Sequence, residues 1–553
     1  MCTIANKDKF MFSEPVVGQD FFGREEVLEI LNKRVLALKD GYRQNVALTG
    51  QSLAGKSSII LHFLHTIQEE GFIPIYVEVV REPFRSFANK FIATMLYHAI
   101  LKKGEQPPSE LAALLEAGQD VLPKTSSAIK QVGAYIERGE HETAYQSLLE
   151  LTSVLKAELG TPCIVILDEF DNLEGLGIKN PFLSFGKVIM VQKDTMYIVS
   201  SSRNLAIKKI ISEKLSLLFG NFEVVKVANY GIKASCDFLH TRLGGFEIDD
   251  FTKKFLIAFT DGNPFYLSRV AGLLKETAIA RMTSMIDADT VYDAILELVY
   301  NSNGTIHQYL MNYILELLDT RNRDYHIAIL VAIAGGNNKH ADIARLIRTT
   351  QRDVIASLSR LCEQGLVSKN GAFYAIDDVM LEFWLKYVYQ RKKDLLVDGA
   401  FDKAALFREE IKAYMASFKQ EYGMSVTARV ARLFNLFSNE LVQLESKSAR
   451  LPHFTKVESK SFADGTHYVA ASFRGNFWIT QVFDRDVNEN DIVSFIRNVK
   501  GLNCKLSNKL LISLKGMDEN TKLLAKELKI AIWDSRTLNN LLNLYRMKRI
   551  IIP

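Results

Sequence analysis

The segment Gly50-Gln51-Ser52-Leu53-Ala54-Gly55-Lys56-Ser57 satisfies the pattern G-x-x-x-x-G-K-[ST]. A short apolar run, Val46–Thr49, precedes it and reads as a strand; the apolar stretch that follows, Ser57–Gln68, reads as a helix. That strand–turn–helix context is what the motif requires. Glycines let the backbone turn its N–H groups inward around phosphate oxygens, and the helix N-terminus adds a favourable dipole. On this reading Gly50, Gln51, Ser52, Leu53, Ala54 and Gly55 form a phosphate cradle that runs on into Ser58. Lys56 bridges a nucleotide's β- and γ-phosphates, and the Ser57 hydroxyl binds Mg²⁺.

Further along, Ile164-Val165-Ile166-Leu167-Asp168-Glu169 is an apolar strand that ends in two carboxylates. In a parallel sheet such residues stand at the carboxyl edge, beside the phosphate loop. Asp168 is expected to hold Mg²⁺ through water, and Glu169 to polarise the attacking water as general base. A third strand, Met196–Ser200, runs into Ser200-Ser201-Ser202-Arg203-Asn204. Ser201 either contacts the γ-phosphate and the nucleophilic water or belongs to a plain Ser-rich turn. Arg203 either neutralises developing charge or sits solvated in a loop.

Around these motifs strand and helix signals alternate. Phe72–Val80 reads as a further strand, with amphipathic helices at Phe84–Lys103 and Glu142–Leu159. Near-continuously apolar strands separated by helices imply a parallel sheet covered on both faces. From about Lys233 to Asp319 the pattern is helical. Helices at His326–Ala334, His340–Arg348 and Gln351–Gln364, then a hairpin turning at Asn370-Gly371, spell a winged helix-turn-helix. The last 150 or so residues return to mixed α/β. The fold class expected is therefore multi-domain α/β: a parallel-sheet core over residues 1–230, a helical lid over 231–320, a winged helix over 321–395 and a mixed α/β domain over 396–553.

Composition agrees with several globular domains. At about 150 residues per domain, 553 residues make three to four. The balance of 68 basic against 64 acidic residues excludes a globally basic nucleic-acid binder, so any such footprint is local. The longest apolar runs, Cys163–Leu167 and Ile327–Ala334, are far short of the roughly 20 residues of a spanning helix. The start, MCTIANKDKF, lacks the pattern of an export signal. The five cysteines are scattered, which fits reduced thiols and a cytoplasmic setting.

With these residues assembled, the chain resembles the archaeal-type ATPases of the AAA+/STAND P-loop class over about residues 15–390. Phe22-Gly23-Arg24-Glu25 looks like that family's FxGRE motif near the adenine, and Gly262-Asn263-Pro264 like its lid GxP motif. The resemblance implies ATP as ligand, with Gly23, Arg24 and Pro264 joining the phosphate loop around it. It departs from the family at Gly220-Asn221, where a Gly-Arg pair is common, and in the long interval between Ser57 and Asp168. That interval leaves room for a helical insertion around Pro107–Tyr145, a possible contact site for a partner or another protomer.

Thr427–Pro553 resembles the restriction-endonuclease-like domain such ATPases often carry, with Arg429–Leu444 as leading helix bearing Glu440. Its active form needs an Asp and a [DE]-x-K pair on adjacent strands to bind metal and position water. His467 and Gln481-Val482-Phe483 stand at those places, so a non-catalytic domain is expected. In the winged helix, Gln351, Arg352, Ser357 and Arg360, with Arg345 and Arg348 before them and Lys369 on the hairpin, are candidates for contact with double-stranded DNA. Two functions follow: an ATP-driven, DNA-associated switch, or a scaffold whose nucleotide-dependent oligomerisation senses a protein partner.

Overall fold

Why the first strands pair as they do follows from their composition: Val46–Leu48, Cys163–Leu167 and Met196–Val199 are wholly buried, so both sheet faces must be covered. The computed structural model describes residues 14–67, 71–215, 221–318, 321–394, 403–444, 447–502 and 504–550. The N-terminal MCTIANKDKF and Gly220 lie outside them. The chain divides into two units, one made of residues 1–229 with 263–265 and 363–365, the other of the remainder.

In the first unit, β1 (Asn45–Thr49), β2 (Ile73–Glu78), β3 (Cys163–Asp168), β4 (Thr195–Ser201) and β5 (Phe222–Lys226) form one sheet in the order β2-β3-β4-β1-β5. Every pairing is parallel. Alternate residues feed opposite cores. Ala47, Val165 and Leu167 join the aromatic-rich core of Phe84, Phe87 and Tyr145, whereas Val46, Leu48, Ile164 and Ile166 meet Leu31 and Val35 of α1 (Glu25–Lys39) and Ile60 and Phe63 of α2 (Lys56–Thr66). The expected insertion is a pair of helices, Leu111–Val121 and Pro123–Glu137, whose Leu114, Ile129 and Val132 are buried in the first of these cores. Their apolar faces are thus covered from within the unit. Glu158 fixes the second of the pair by accepting from the backbone N–H of Lys124 and Thr125, 2.9 Å each, at its N-terminus.

The second unit begins with helices, but the expected all-helical stretch is interrupted by a small parallel strand pair, Glu247–Ile248 with Met285–Ile286. Next come helices Arg323–Ala334, His340–Leu346 and Gln351–Glu363 and an antiparallel hairpin, Val367–Asn370 with Phe373–Ile376. Thr350 Oγ1 caps the third helix by accepting from Asp353 N–H at 3.2 Å. The hairpin turn is built against strand Leu441–Leu444: Ala372 N–H donates to Leu441 O, and Asn370 and Gln443 exchange two hydrogen bonds. A Cβ on Gly371 would lie 1.8 Å from Leu441 O and its φ is +59°, so only glycine fits.

The C-terminal segment departs from the expected leading helix over Arg429–Leu444. The helix is Val426–Asn435, Asn439 takes φ +64°, and Leu441–Leu444 is a strand paired with Lys447–Arg450. Glu440 therefore lies off the helix, buried, accepting from Lys339 Nζ at 2.8 Å and Tyr545 OH at 3.0 Å. A five-stranded mixed sheet follows, ordered Lys456–Ser461, His467–Phe473, Asn476–Phe483, Leu506–Ser513, Ala531–Asp534. Among the described residues no helix is long and apolar enough to cross a membrane.

Candidate active site

The phosphate loop is shaped by close approach. A Cβ on Gly50 would stand 2.2 Å from Val227 O, so the loop can turn over the end of β5 only with glycine there. Gly55, at φ +94°, releases the chain into α2 and turns the first N–H groups of that helix toward the loop. Around this frame, Gly23 and Arg24 both take positive φ. The Arg24 guanidinium donates to Ala54 O at 2.9 Å and Ala228 O at 2.7 Å, tying the loop to the chain beyond β5. Asn263 Nδ2 donates to Ser52 O at 3.4 Å, and Asn229 Nδ2 to Gln51 Oε1 at 3.3 Å. Of the GxP motif it is thus Asn263 whose side chain reaches the loop, while Pro264 opens the helix Pro264–Ala280. The Ser58 hydroxyl accepts from Val16 N–H at 3.0 Å, and Phe21 stacks on His62 at 3.9 Å. Residues 16–21 are thereby laid along α2.

Lys56 is the pivot. Only 4% exposed, its ammonium donates to Gly50 O (3.1 Å), Gln51 O (2.9 Å) and Ser202 Oγ (2.9 Å). Burial lowers its pKa from the ordinary lysine value, against the pull of Glu169, Asp168 and Asp171. Asp168, at the end of β3, is saturated with donors. Ser57 Oγ at 2.6 Å and Tyr76 OH at 3.0 Å reach Oδ2, and Ser200 Oγ and the Glu169 N–H reach Oδ1. Tyr76 arrives from β2, whose parallel register sets Tyr76 beside Ile166. It was not among the residues expected from sequence, although the strand reading of Phe72–Val80 places a phenol next to β3.

Glu169 sits at φ +52°, a left-handed conformation that costs energy in a non-glycine residue and is found where the surroundings hold a side chain to a task. Both its oxygens accept from Ser202, one from the backbone N–H at 3.2 Å and one from Oγ. Burial raises its carboxyl pKa above the ordinary value, with Lys56 and the Ser202 hydroxyl working in the other direction.

Three side chains thus form a chain, Lys56 Nζ to Ser202 Oγ to Glu169 Oε1. Of the serine run, Ser200 reaches Asp168 and Ser202 reaches Glu169 and Lys56. Ser201 Oγ instead accepts from Arg203 N–H at 3.0 Å. The Arg203 guanidinium is held by an ion pair to Asp171 and by Asn172 Oδ1 at 3.0 Å. The signal for Ser202 was present in the Ser200–Ser202 run, but which hydroxyl turns inward depends on where β4 ends.

Buried carboxylates and a buried lysine thus stand beside a glycine-bounded loop at the carboxyl edge of a parallel sheet, an arrangement with the parts phosphoryl transfer uses. Residues 20–177 match the model of the AAA ATPase domain family. Among solved structures it is similar to a Walker-type ATPase of Pyrococcus abyssi, at 18% identity over 68% of this chain and 99% of that one, TM-score 0.46. It is also similar to the ORC2 protein of Aeropyrum pernix in ADPNP–ADP complexes, at 14% identity over 70% and 99%, TM-score 0.43. The ORC1 protein of Aeropyrum pernix in complex with DNA matches at 16% identity over 68% and 95%, TM-score 0.38. No curated protein matches the chain.

Proposed function

We propose that this chain is an ATP-hydrolysing switch that associates with double-stranded DNA. The observation that carries the hydrolytic part is the Lys56–Ser202–Glu169 chain of hydrogen bonds at the mouth of the phosphate loop. The loop N–H groups receive the phosphates, and Lys56 exchanges the carbonyls of Gly50 and Gln51 for β- and γ-phosphate oxygens. Ser57 and Asp168 juxtapose two hard oxygen donors at 2.6 Å, a set that fits Mg²⁺ shared with phosphates and water. When bound, that ion neutralises charge building on the phosphate oxygens. Glu169 takes the proton of the attacking water, and Ser202 positions the carboxylate. Ser201 and Arg203, turned to local partners, support the loop that carries Ser202.

Ser202→Ala is expected to lower kcat by about tenfold with ATP affinity within threefold, against a general-base contribution of roughly 10²–10⁴. Because the lost hydrogen bond lowers the Glu169 pKa, the acid limb of the pH–rate profile moves to higher pH. A Ser202→Ala profile superimposable on the wild type rules the positioning role out. Ser201→Ala is the matched control.

Residues 231–320 act as the lid, 321–395 as a winged helix and 396–553 as a restriction-endonuclease-like domain without catalysis. In that last domain Gln481 is buried where an acid is needed, and Asp464 is engaged by Thr466 and Asn498. On the winged helix, Arg345, Arg348, Arg352 and Arg360 are exposed on one module and support the DNA reading. Ser357 is buried and drops out of that set. With the hairpin tip held by Leu441–Leu444, contact falls to the helix Gln351–Glu363 and the turn before it.

Binding to a duplex should fall linearly in log Kd against log salt, and Arg352→Ala/Arg360→Ala should reduce that slope by about two. Absence of salt-sensitive duplex binding in a gel-shift series sinks the DNA association and leaves the ATPase reading intact.

A further inference from the structure

We propose that the second unit holds a phosphate-binding pocket of its own, remote in sequence from the phosphate loop, in which Lys386 and Lys548 take the anion of a small phosphorylated molecule. The pocket is a cavity of about 250 Å³ between the helices Asp250–Thr260 and Lys403–Tyr422, the helix Val379–Trp384 with the π-helix Leu385–Tyr389 that continues it, and Asn543–Arg549. Four cations line it, Lys386, Arg546, Lys548 and Arg549, against one carboxylate, Glu382.

Two of those cations are spoken for. Arg546 pairs with Glu382 and donates to Ile333 O, and Arg549 pairs with Asp261. Among the described residues, Lys386 and Lys548 make no ion pair. Their ammonium groups rest on aromatic faces instead, Lys548 Nζ 3.4 Å from the centroid of Tyr414 and Lys386 Nζ 4.8 Å from that of Tyr387. For the desolvated Lys548 a ring face compensates the charge only in part. Burial presses the Lys548 pKa down to about 8; the Lys386 charge adds to that, and Glu421 and Glu382 oppose it. Glu421 is already shared with Arg429 and Arg432 and accepts from the Lys548 backbone N–H. The pocket therefore gathers positive charge that its own carboxylates do not balance.

An entering oxyanion would relieve both deficits, the missing counter-charge and the repulsion between two like charges. Lysines bind phosphate as mobile point charges, without the planar fork an arginine would impose. The remaining wall, including Phe383, Phe418 and Tyr387 with Asn543 among them, is mostly apolar and suits an attached organic group. The volume lies near the small end of ligand pockets, roughly 300 Å³ and upward, which favours a phosphomonoester over a polymer.

The test uses the full chain carrying Lys56→Ala, so that the phosphate loop is silenced, titrated calorimetrically with uridine monophosphate and with inorganic pyrophosphate. The expected result is one binding site, with affinity for the tighter probe reduced at least tenfold by Lys386→Met and by Lys548→Met. Tighter uridine monophosphate identifies a phosphomonoester with its organic group as the ligand class; equal or tighter pyrophosphate identifies a free phosphate ion. Lys386 is exposed, so Lys386→Met keeps the test valid should Lys548→Met fail to fold. The proposal is overturned if neither probe binds at millimolar concentration, or if Lys386→Met binds both as tightly as its parent.

Discussion

Lys56→Ala is expected to bind ATP at least ~30-fold more weakly than the native chain, because truncating one partner of a buried, hydrogen-bonded charge set costs about 2–5 kcal/mol. The lysine is held by two loop carbonyls and Ser202, with Glu169, Asp168 and Asp171 contributing attraction across the site. Alanine removes the charge that meets the phosphates and also leaves those carboxylates facing an incoming polyanion without a cation between them. Both effects act in the same direction. Calorimetry with a non-hydrolysable ATP analogue reads the loss directly. Affinity within threefold of native would show that the loop N–H groups alone hold the phosphates and that Lys56 is a structural lysine.

Glu169→Gln should separate binding from chemistry. ATP affinity stays within about threefold while turnover falls by roughly 10²-fold or more, the scale of a lost general base. Glutamine is nearly isosteric and can still accept from Ser202 through one oxygen, so the local structure persists. What it cannot do is take a proton. In the native chain the raised pKa of Glu169 places the acid limb of kcat/KM above the ordinary carboxylate value of about 4.3. Activity is present where the carboxylate is ionised and declines as pH falls through that raised pKa. In Glu169→Gln the residual rate should lose this limb. Normal turnover in the variant would remove Glu169 from the chemistry and shift attention to water held by other groups.

The Gly50–Ser57 turn and the strand ending at Asp168-Glu169 were legible because each is local. A Gly-rich turn between an apolar strand and a helix depends on backbone conformations within eight consecutive residues, and an apolar strand ending in Asp-Glu needs only alternation and a boundary. The same holds for the Asn370-Gly371 turn. The reading of Arg429–Leu444 as one helix failed for the opposite reason. Leu441–Leu444 is apolar enough for either state, and it becomes a strand because Lys447–Arg450 and the hairpin tip at Gly371 offer its backbone partners.

Sequence alone therefore determined the Gly50–Ser57 turn between strand and helix, the Asp168-Glu169 pair at the end of β3 and the parallel-sheet class of the first unit, since periodicity and turn chemistry act over a few residues. The tertiary structure decided which groups converge. Ser202 in place of Ser201 faces Glu169, Tyr76 reaches Asp168 across the β2–β3 register, and Arg203 is committed to Asp171. Strand register and the exact end of a strand turn a side chain to one face or the other, and both are fixed by pairing with residues distant in the chain.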